Sequence, residues 1–284
     1  MEVKRVGVVG SGTMGSGVAE LALSNGFEVV LRSRSASGAN SARADVEGST
    51  FRRVEKGKLT EAERDEMLLR YNVTTELDDL GDCDLIIESI VEDLPAKKTL
   101  FGDLDKACAP DAILTTNTST LPVVEMAMAT QRPEQVCGLH FFNPATLMSL
   151  VELVRPDTAS VETLTTARSF AEACGKSVVE TRDEAGFVVN ALLFPYLNNA
   201  VRLLEAGTAT AEDIDRAMCG GCNFPMGPLA LLDLVGIDVS VAILEALHED
   251  RRDSNFAPVP RLREMVEAGH LGRKTGKGFF EYGD

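Results

Sequence analysis

Positive charge is scarce in this sequence. Against 44 aspartates and glutamates stand only 28 lysines and arginines, a formal net charge of −16 over 284 residues. That balance excludes the broad basic surface with which a chain tracks nucleic-acid phosphates, so any phosphate site must be local. Long apolar runs are also missing: none reaches the roughly 20 residues of a membrane-spanning helix. Met1, Glu2, Lys4 and Arg5 lead straight into an apolar strand, without the apolar stretch of a secretory signal. No membrane partner is expected. The six cysteines, at 83, 108, 137, 174, 219 and 222, lack the spacing of a disulfide framework, and reduced thiols in a cytoplasmic protein are the expectation. Cys219 and Cys222 alone make a CxxC pair. No second pair follows to complete a zinc site, and no strand precedes it in a thioredoxin-like pattern, so the pair is expected to be structural and no metal is expected. No repeat of fixed period occurs.

What is present is enough apolar content, 44%, to bury a substantial core. Short β-branched runs at 5–9, 27–31, 72–74, 85–88, 113–116 and 136–141 alternate with helical stretches, the signature of a doubly wound parallel sheet. Runs at 150–154 and 176–180 read as strands extending it, with a helix over 159–173 between them. From Gly186 the texture becomes amphipathic helix, at 187–205, 211–218, 227–234, 239–249 and 260–268. The fold class predicted is α/β, a Rossmann-like domain over 1–185 followed by an all-helical domain over 186–284.

Gly10-Ser11-Gly12-Thr13-Met14-Gly15 stands between the first strand and a helix. Gly10 permits the tight turn, Gly12 lets a pyrophosphate approach the backbone, and Gly15 allows close packing of the helix whose N-terminus faces the phosphates. Such a site takes a dinucleotide. At the end of the second strand, where an acid usually holds the adenosine ribose, the residue is Ser33, flanked by Arg32 and Arg34. An acid there would repel a 2′-phosphate, whereas a hydroxyl beside guanidinium groups can bind one. NADP(H) is therefore favoured, and NAD(H) is the alternative if the arginines are only solvated loop charges.

Of three histidines, His248 and His270 lie in polar helix-end surroundings, while His140 ends an apolar strand. Glu152 is isolated inside the apolar run Leu150-Val151-Glu152-Leu153-Val154, where burial penalises a carboxylate unless a cation or hydrogen-bond donor meets it. If the two strands are neighbours, Glu152 can fix the tautomer of His140 and stabilise its protonated form. Oxidation of an alcohol needs such a base, because the hydroxyl proton must leave as hydride departs.

Together with Asn117-Thr118-Ser119, Gly138-Leu139-His140-Phe141-Phe142-Asn143-Pro144, Gly186-Phe187-Val188-Val189-Asn190, Pro225-Met226-Gly227-Pro228 and 272–279, these residues resemble the short-chain L-3-hydroxyacyl-CoA dehydrogenases, including bacterial 3-hydroxybutyryl-CoA dehydrogenases, over nearly the whole chain. The resemblance implies a tetrad of Ser119, His140, Glu152 and Asn190. In it His140 is base and acid, Glu152 orients it, and Ser119 and Asn190 bind the substrate oxygens. It further implies cofactor contacts from Glu92, Lys97 and Asn117, besides residues 10–15, Ser33 and Arg34. Coenzyme A phosphates would be received by Arg52 and Lys56, and the protein would be a homodimer in fatty acid metabolism. The sequence departs from the family pattern at three positions: Ser33 replaces the usual acid, Ser149 a frequent lysine, and Ala191 a frequent arginine. Two alternatives stand beside this reading. One is a relative acting on a hydroxyacyl or glyceryl group of an acyl carrier protein, or on a free hydroxy acid; the other is a crystallin-like dinucleotide-binding protein without catalysis.

Overall fold

The computed structural model describes residues 1–283, which divide into two compact units, the first ending at Asp183 and the second beginning at Glu184. Among the described residues, the first unit holds strands β1 (Arg5–Val9), β2 (Glu28–Arg32), β3 (Tyr71–Thr74), β4 (Leu85–Glu88), β5 (Ile113–Thr116), β6 (Val136–Phe141), β7 (Leu150–Arg155) and β8 (Ser177–Arg182). Its helices are α1 (Thr13–Ser24), α2 (Ala36–Glu55), α3 (Glu61–Leu69), α4 (Leu94–Ala107), α5 (Val123–Ala127) and α6 (Val161–Ala173). The strands form one sheet in the order β3-β2-β1-β4-β5-β6-β7-β8. Strands β4, β5 and β6 are buried along their whole length, as helices on both faces require, and this is why they read as apolar runs without alternation. Val6, Val8, Leu31, Leu85, Ile87, Leu139 and Leu153 meet in the core, each such side chain contributing about 1.5–3 kcal/mol by leaving water.

The sheet departs from the expected parallel arrangement at one ladder. No helix separates β6 from β7, so the chain turns back and β7 pairs antiparallel to β6, with His140 opposite Glu152. Parallel pairing resumes between β7 and β8 after the crossover through α6.

The second unit contains α7 (Val189–Glu205), α8 (Ala211–Cys222), α9 (Pro228–Val235), α10 (Ile237–Arg251) and α11 (Pro260–Glu267). They surround a core that includes Phe194, Leu197, Leu229, Leu232, Leu244 and Leu262. Two helix ends differ from expectation for local reasons. α7 starts two residues late because Gly186 and Phe187 have φ of 75° and 47°, outside the helical region. α8 continues through Gly220 and Gly221 and ends only at left-handed Asn223. Beyond α11 the segment 272–282 folds back onto buried Asp233, whose carboxylate accepts the Phe279 and Phe280 N–H groups at 2.9 Å and the Tyr282 hydroxyl at 3.0 Å.

Candidate active site

The turn from β1 into α1 is built by glycine. Gly10 has φ of 122°, and a side chain there would overlap the Ser89 carbonyl; one at Gly15 would overlap the carbonyl of Gly10 itself. At Gly12 nothing lies within 4 Å of where a Cβ would stand, so the turn offers bare backbone at the N-terminus of α1, as a pyrophosphate needs. The residues fit a dinucleotide. Thr13 and Met14 open α1 itself. Ser33 is buried, its hydroxyl 2.8 Å from that of Ser11. Arg32 donates from Nε to the Thr75 carbonyl at 3.1 Å, whereas Arg34 is exposed.

At the far ends of β5 and β6, three predicted residues come together. His140 Nδ1 lies 2.7 Å from Glu152 Oε2, across the antiparallel ladder, and His140 Nε2 lies 3.1 Å from the Ser119 hydroxyl. His140 is 5% and Glu152 0% exposed. A carboxylate accepts and does not donate, so Nδ1 carries the hydrogen, and Nε2 presents its lone pair to the Ser119 hydroxyl. The Phe142 ring, tilted at 56° with its centroid 4.5 Å from that of the imidazole, holds the ring from the side. This is an imidazole with one fixed tautomer and one nitrogen able to take or give a proton.

Glu92, Lys97 and Asn117 belong to a second network beside the first. Lys97, buried, donates to both oxygens of Glu88 at 2.7 and 2.9 Å and approaches Glu92 Oε2 at 3.2 Å. Glu88 also accepts the Thr116 hydroxyl at 2.6 Å and the Ile90 N–H at 2.6 Å. Glu92 receives the Thr118 hydroxyl and the N–H of Ser119 at 2.9 Å, tying this network to the Ser119 backbone. Partial desolvation alone would raise the Glu92 carboxyl; the Lys97 ammonium, the Thr118 hydroxyl and the Ser119 N–H outweigh it and hold it below the ordinary range. Asn117 Oδ1 accepts the Phe141 N–H at 2.7 Å, fixing the strand beside His140. Asp183 accepts the N–H groups of Val123 at 2.9 Å and Val124 at 2.7 Å, at the start of α5.

Arg52 and Lys56, in the last turn of α2 and at its C-cap, line a cavity of about 630 Å³ together with Arg53, Lys58, Ser149 and Lys176. Local positive charge on an otherwise acidic chain is thus concentrated here. Asn190 is the second residue of α7, buried at 8% exposure, and Ala191 follows it.

Glu88 and Thr116 were not singled out from the sequence, and Thr118 and Phe142 entered only as members of longer motifs. The signal existed for Glu88: it ends the apolar run Leu85-Ile86-Ile87, the same lone acid in an apolar strand that marks Glu152.

The glycine turn and the mostly parallel sheet define a dinucleotide-binding chain with an imidazole–carboxylate pair at its strand ends. A family model described as "3-hydroxyacyl-CoA dehydrogenase, NAD binding domain" matches residues 5–184, and one described as "3-hydroxyacyl-CoA dehydrogenase, C-terminal domain" matches residues 186–282. The chain belongs to the 3-hydroxyacyl-CoA dehydrogenase family. It is 45% identical over 282 residues to a 3-hydroxybutyryl-CoA dehydrogenase of Mycobacterium tuberculosis, covering 99% of each chain. Among solved structures it is similar to FadB2 of M. tuberculosis, with a TM-score of 0.97, 45% identity and all of both chains covered. It is also similar to the (S)-3-hydroxybutyryl-CoA dehydrogenase PaaH1 of Ralstonia eutropha, with a TM-score of 0.96, 37% identity and again full coverage of both.

Proposed function

We propose that the chain interconverts (S)-3-hydroxybutyryl-CoA and acetoacetyl-CoA, with NADP(H) as the preferred cofactor. The observation that carries this reading is the His140 imidazole held between Glu152 and Ser119. When bound, the nicotinamide supplies or accepts the hydride. In the oxidation, His140 Nε2 takes the proton from the C3 hydroxyl, and the imidazolium so formed is stabilised by Glu152, already in hydrogen-bond contact with Nδ1. In the reduction the same nitrogen returns the proton to the C3 oxygen. Ser119 and Asn190 hydrogen-bond the substrate oxygens and polarise the keto group. Arg52 and Lys56, in the cavity at the end of α2, receive the phosphates of coenzyme A. The carrier is favoured over an acyl carrier protein or a free acid because those side chains have a cavity to serve. Arg34, exposed beside the Ser11–Ser33 hydroxyl pair, supports NADP(H), with Glu92, Lys97 and Asn117 on the nicotinamide side. The helical unit forms a homodimer.

The test is a spectrophotometric assay with acetoacetyl-CoA, comparing NADPH and NADH in the wild type and in His140→Ala. The expected result is turnover with a preference for NADPH and a loss of at least about a hundredfold in the variant. Equal rates in wild type and variant would remove His140 from the mechanism. Ser33→Asp should shift the preference toward NADH by repelling the 2′-phosphate, and an unchanged ratio defeats the cofactor assignment while leaving the reaction intact.

A further inference from the structure

Four of the six cysteines are closed to chemistry. Cys83, Cys108, Cys137 and Cys174 are buried, and burial pushes their thiols up, to about 12 for Cys83, Cys137 and Cys174 and about 11 for Cys108. At neutral pH they hold almost none of the thiolate that attacks an oxidant. The other two differ in exposure. Cys219 is half-buried and Cys222 exposed, and both stand in the last turn of α8.

Helix geometry sets residues three apart with Cα atoms about 5 Å from one another, within the roughly 4.4–6.8 Å that a disulfide spans. Their Cβ atoms, about 5–6 Å apart on one helix face, must approach to about 3.5–4.5 Å, so the turn has to tighten. The residues around the pair permit that movement. Gly220 and Gly221 lie between the cysteines, and nothing occupies the 4 Å around either Cβ position. The helix ends at the next residue, Asn223, with φ of 57°. Past it, the Met218 carbonyl accepts the Asn223 N–H and, at 3.5 Å, the Phe224 N–H, so the turn closes on a single acceptor. The Tyr196 hydroxyl is raised first by burial and then by Asp215, Cys222 and Cys219 close to it, and the ring packs edge-on against Phe224.

We propose that Cys219 and Cys222 form a dithiol modification site that reacts with a low-molecular-weight disulfide and closes reversibly to an intramolecular disulfide. The exposed Cys222 thiolate attacks one sulfur of the oxidant, breaking its S–S bond, forming a mixed disulfide and releasing one thiolate. The Cys219 thiolate then attacks the Cys222 sulfur and expels the second. The two cysteine sulfurs are oxidised, the oxidant's two sulfurs are reduced, and the two S–H protons pass to the released thiolates. Because the turn must tighten, the product is strained and readily reduced. The lone CxxC, unremarkable as a zinc half-site, thus has the exposure and the flexible setting for exchange chemistry.

The test uses the whole folded protein, incubated with oxidised glutathione, alkylated and weighed intact. The wild type should lose two hydrogens and retain no glutathione, peptide mapping should place the link between Cys219 and Cys222, and dithiothreitol should reverse it. Cys219→Ser should instead keep one glutathione on Cys222, and the double variant should stay unmodified. The proposal is overturned if the wild type stays fully reduced, keeps glutathione on both residues, or forms a covalent dimer through Cys222. It is equally overturned if the loss of two hydrogens persists in the double variant. Should the serine variants fail to fold by circular dichroism, the wild-type mass and its mapped link decide alone.

Discussion

In the proposed mechanism a carboxylate buried at 0% exposure and bonded to an imidazole, as Glu152 is, acts through what it forbids: the wrong tautomer. Glu152→Gln keeps the shape but adds a donor, so Nδ1 is no longer obliged to carry the hydrogen. In the acetoacetyl-CoA assay kcat should fall by about 10²–10⁴-fold while KM changes little; an unchanged kcat takes Glu152 out of its orienting role. Glu92 makes a prediction about stability. Its carboxyl, partly desolvated although its surface remains open, is held below 4.5 by Lys97, Thr118 and Ser119, so the folded chain binds this proton more weakly than the unfolded one. It therefore adds stability at pH above about 4.5, and that stability is lost as the pH falls through the lower folded value. Urea midpoints followed from about pH 6 to about pH 3 should drop less steeply in Glu92→Gln than in the wild type, and parallel slopes would contradict the linkage. His140 and Glu152 were each legible in the sequence as polar residues in apolar strands. Lys97 bridging Glu88 and Glu92 was not, because a lysine on an amphipathic helix normally faces water and nothing in its neighbours' spacing says otherwise.

Among the elements, strands announced themselves through continuous β-branched runs such as Leu85-Ile86-Ile87, which only a sheet covered on both faces buries completely. Direction did not, since such a run reads the same whichever way it lies; the antiparallel β7 follows from the missing crossover helix after β6. The limits of α7 were hidden for another reason: Phe187 adopts a conformation that a bulky residue seldom takes. Two changes test how elements are held. Gly15→Ala drives a methyl into the Gly10 carbonyl, so the KM for the nicotinamide cofactor should rise at least tenfold, with a loss of about 1–3 kcal/mol in stability from overpacking. Cofactor affinity unaltered by that methyl would show that α1 can retreat without consequence. Asp233→Ala removes the acceptor of three donors in segment 272–282. Limited trypsinolysis should then cut at Lys274 or Lys277 well before the rest of the chain, and equal resistance would mean that other ties, such as Lys274–Asp238, hold the segment.

For the molecule as a whole, a net charge of −16 means that the folded chain repels itself, and salt should relieve that strain while scarcely touching the buried Lys97–Glu88 pair. The melting temperature is expected to rise between low salt and about 0.5 M sodium chloride; a fall would show that surface ion pairs such as Lys274–Asp238 outweigh the repulsion. The α/β class was legible at this scale from the alternation alone. One consequence of the β6–β7 ladder concerns assembly. Displacing β7 by a single residue sends the carboxylate to the other side of the sheet without altering how much strand or helix the chain contains. Under the proposed mechanism turnover would then proofread folding: material regained from denaturant with full ellipticity but a slipped strand should be inert, leaving a shortfall of regained rate against regained ellipticity.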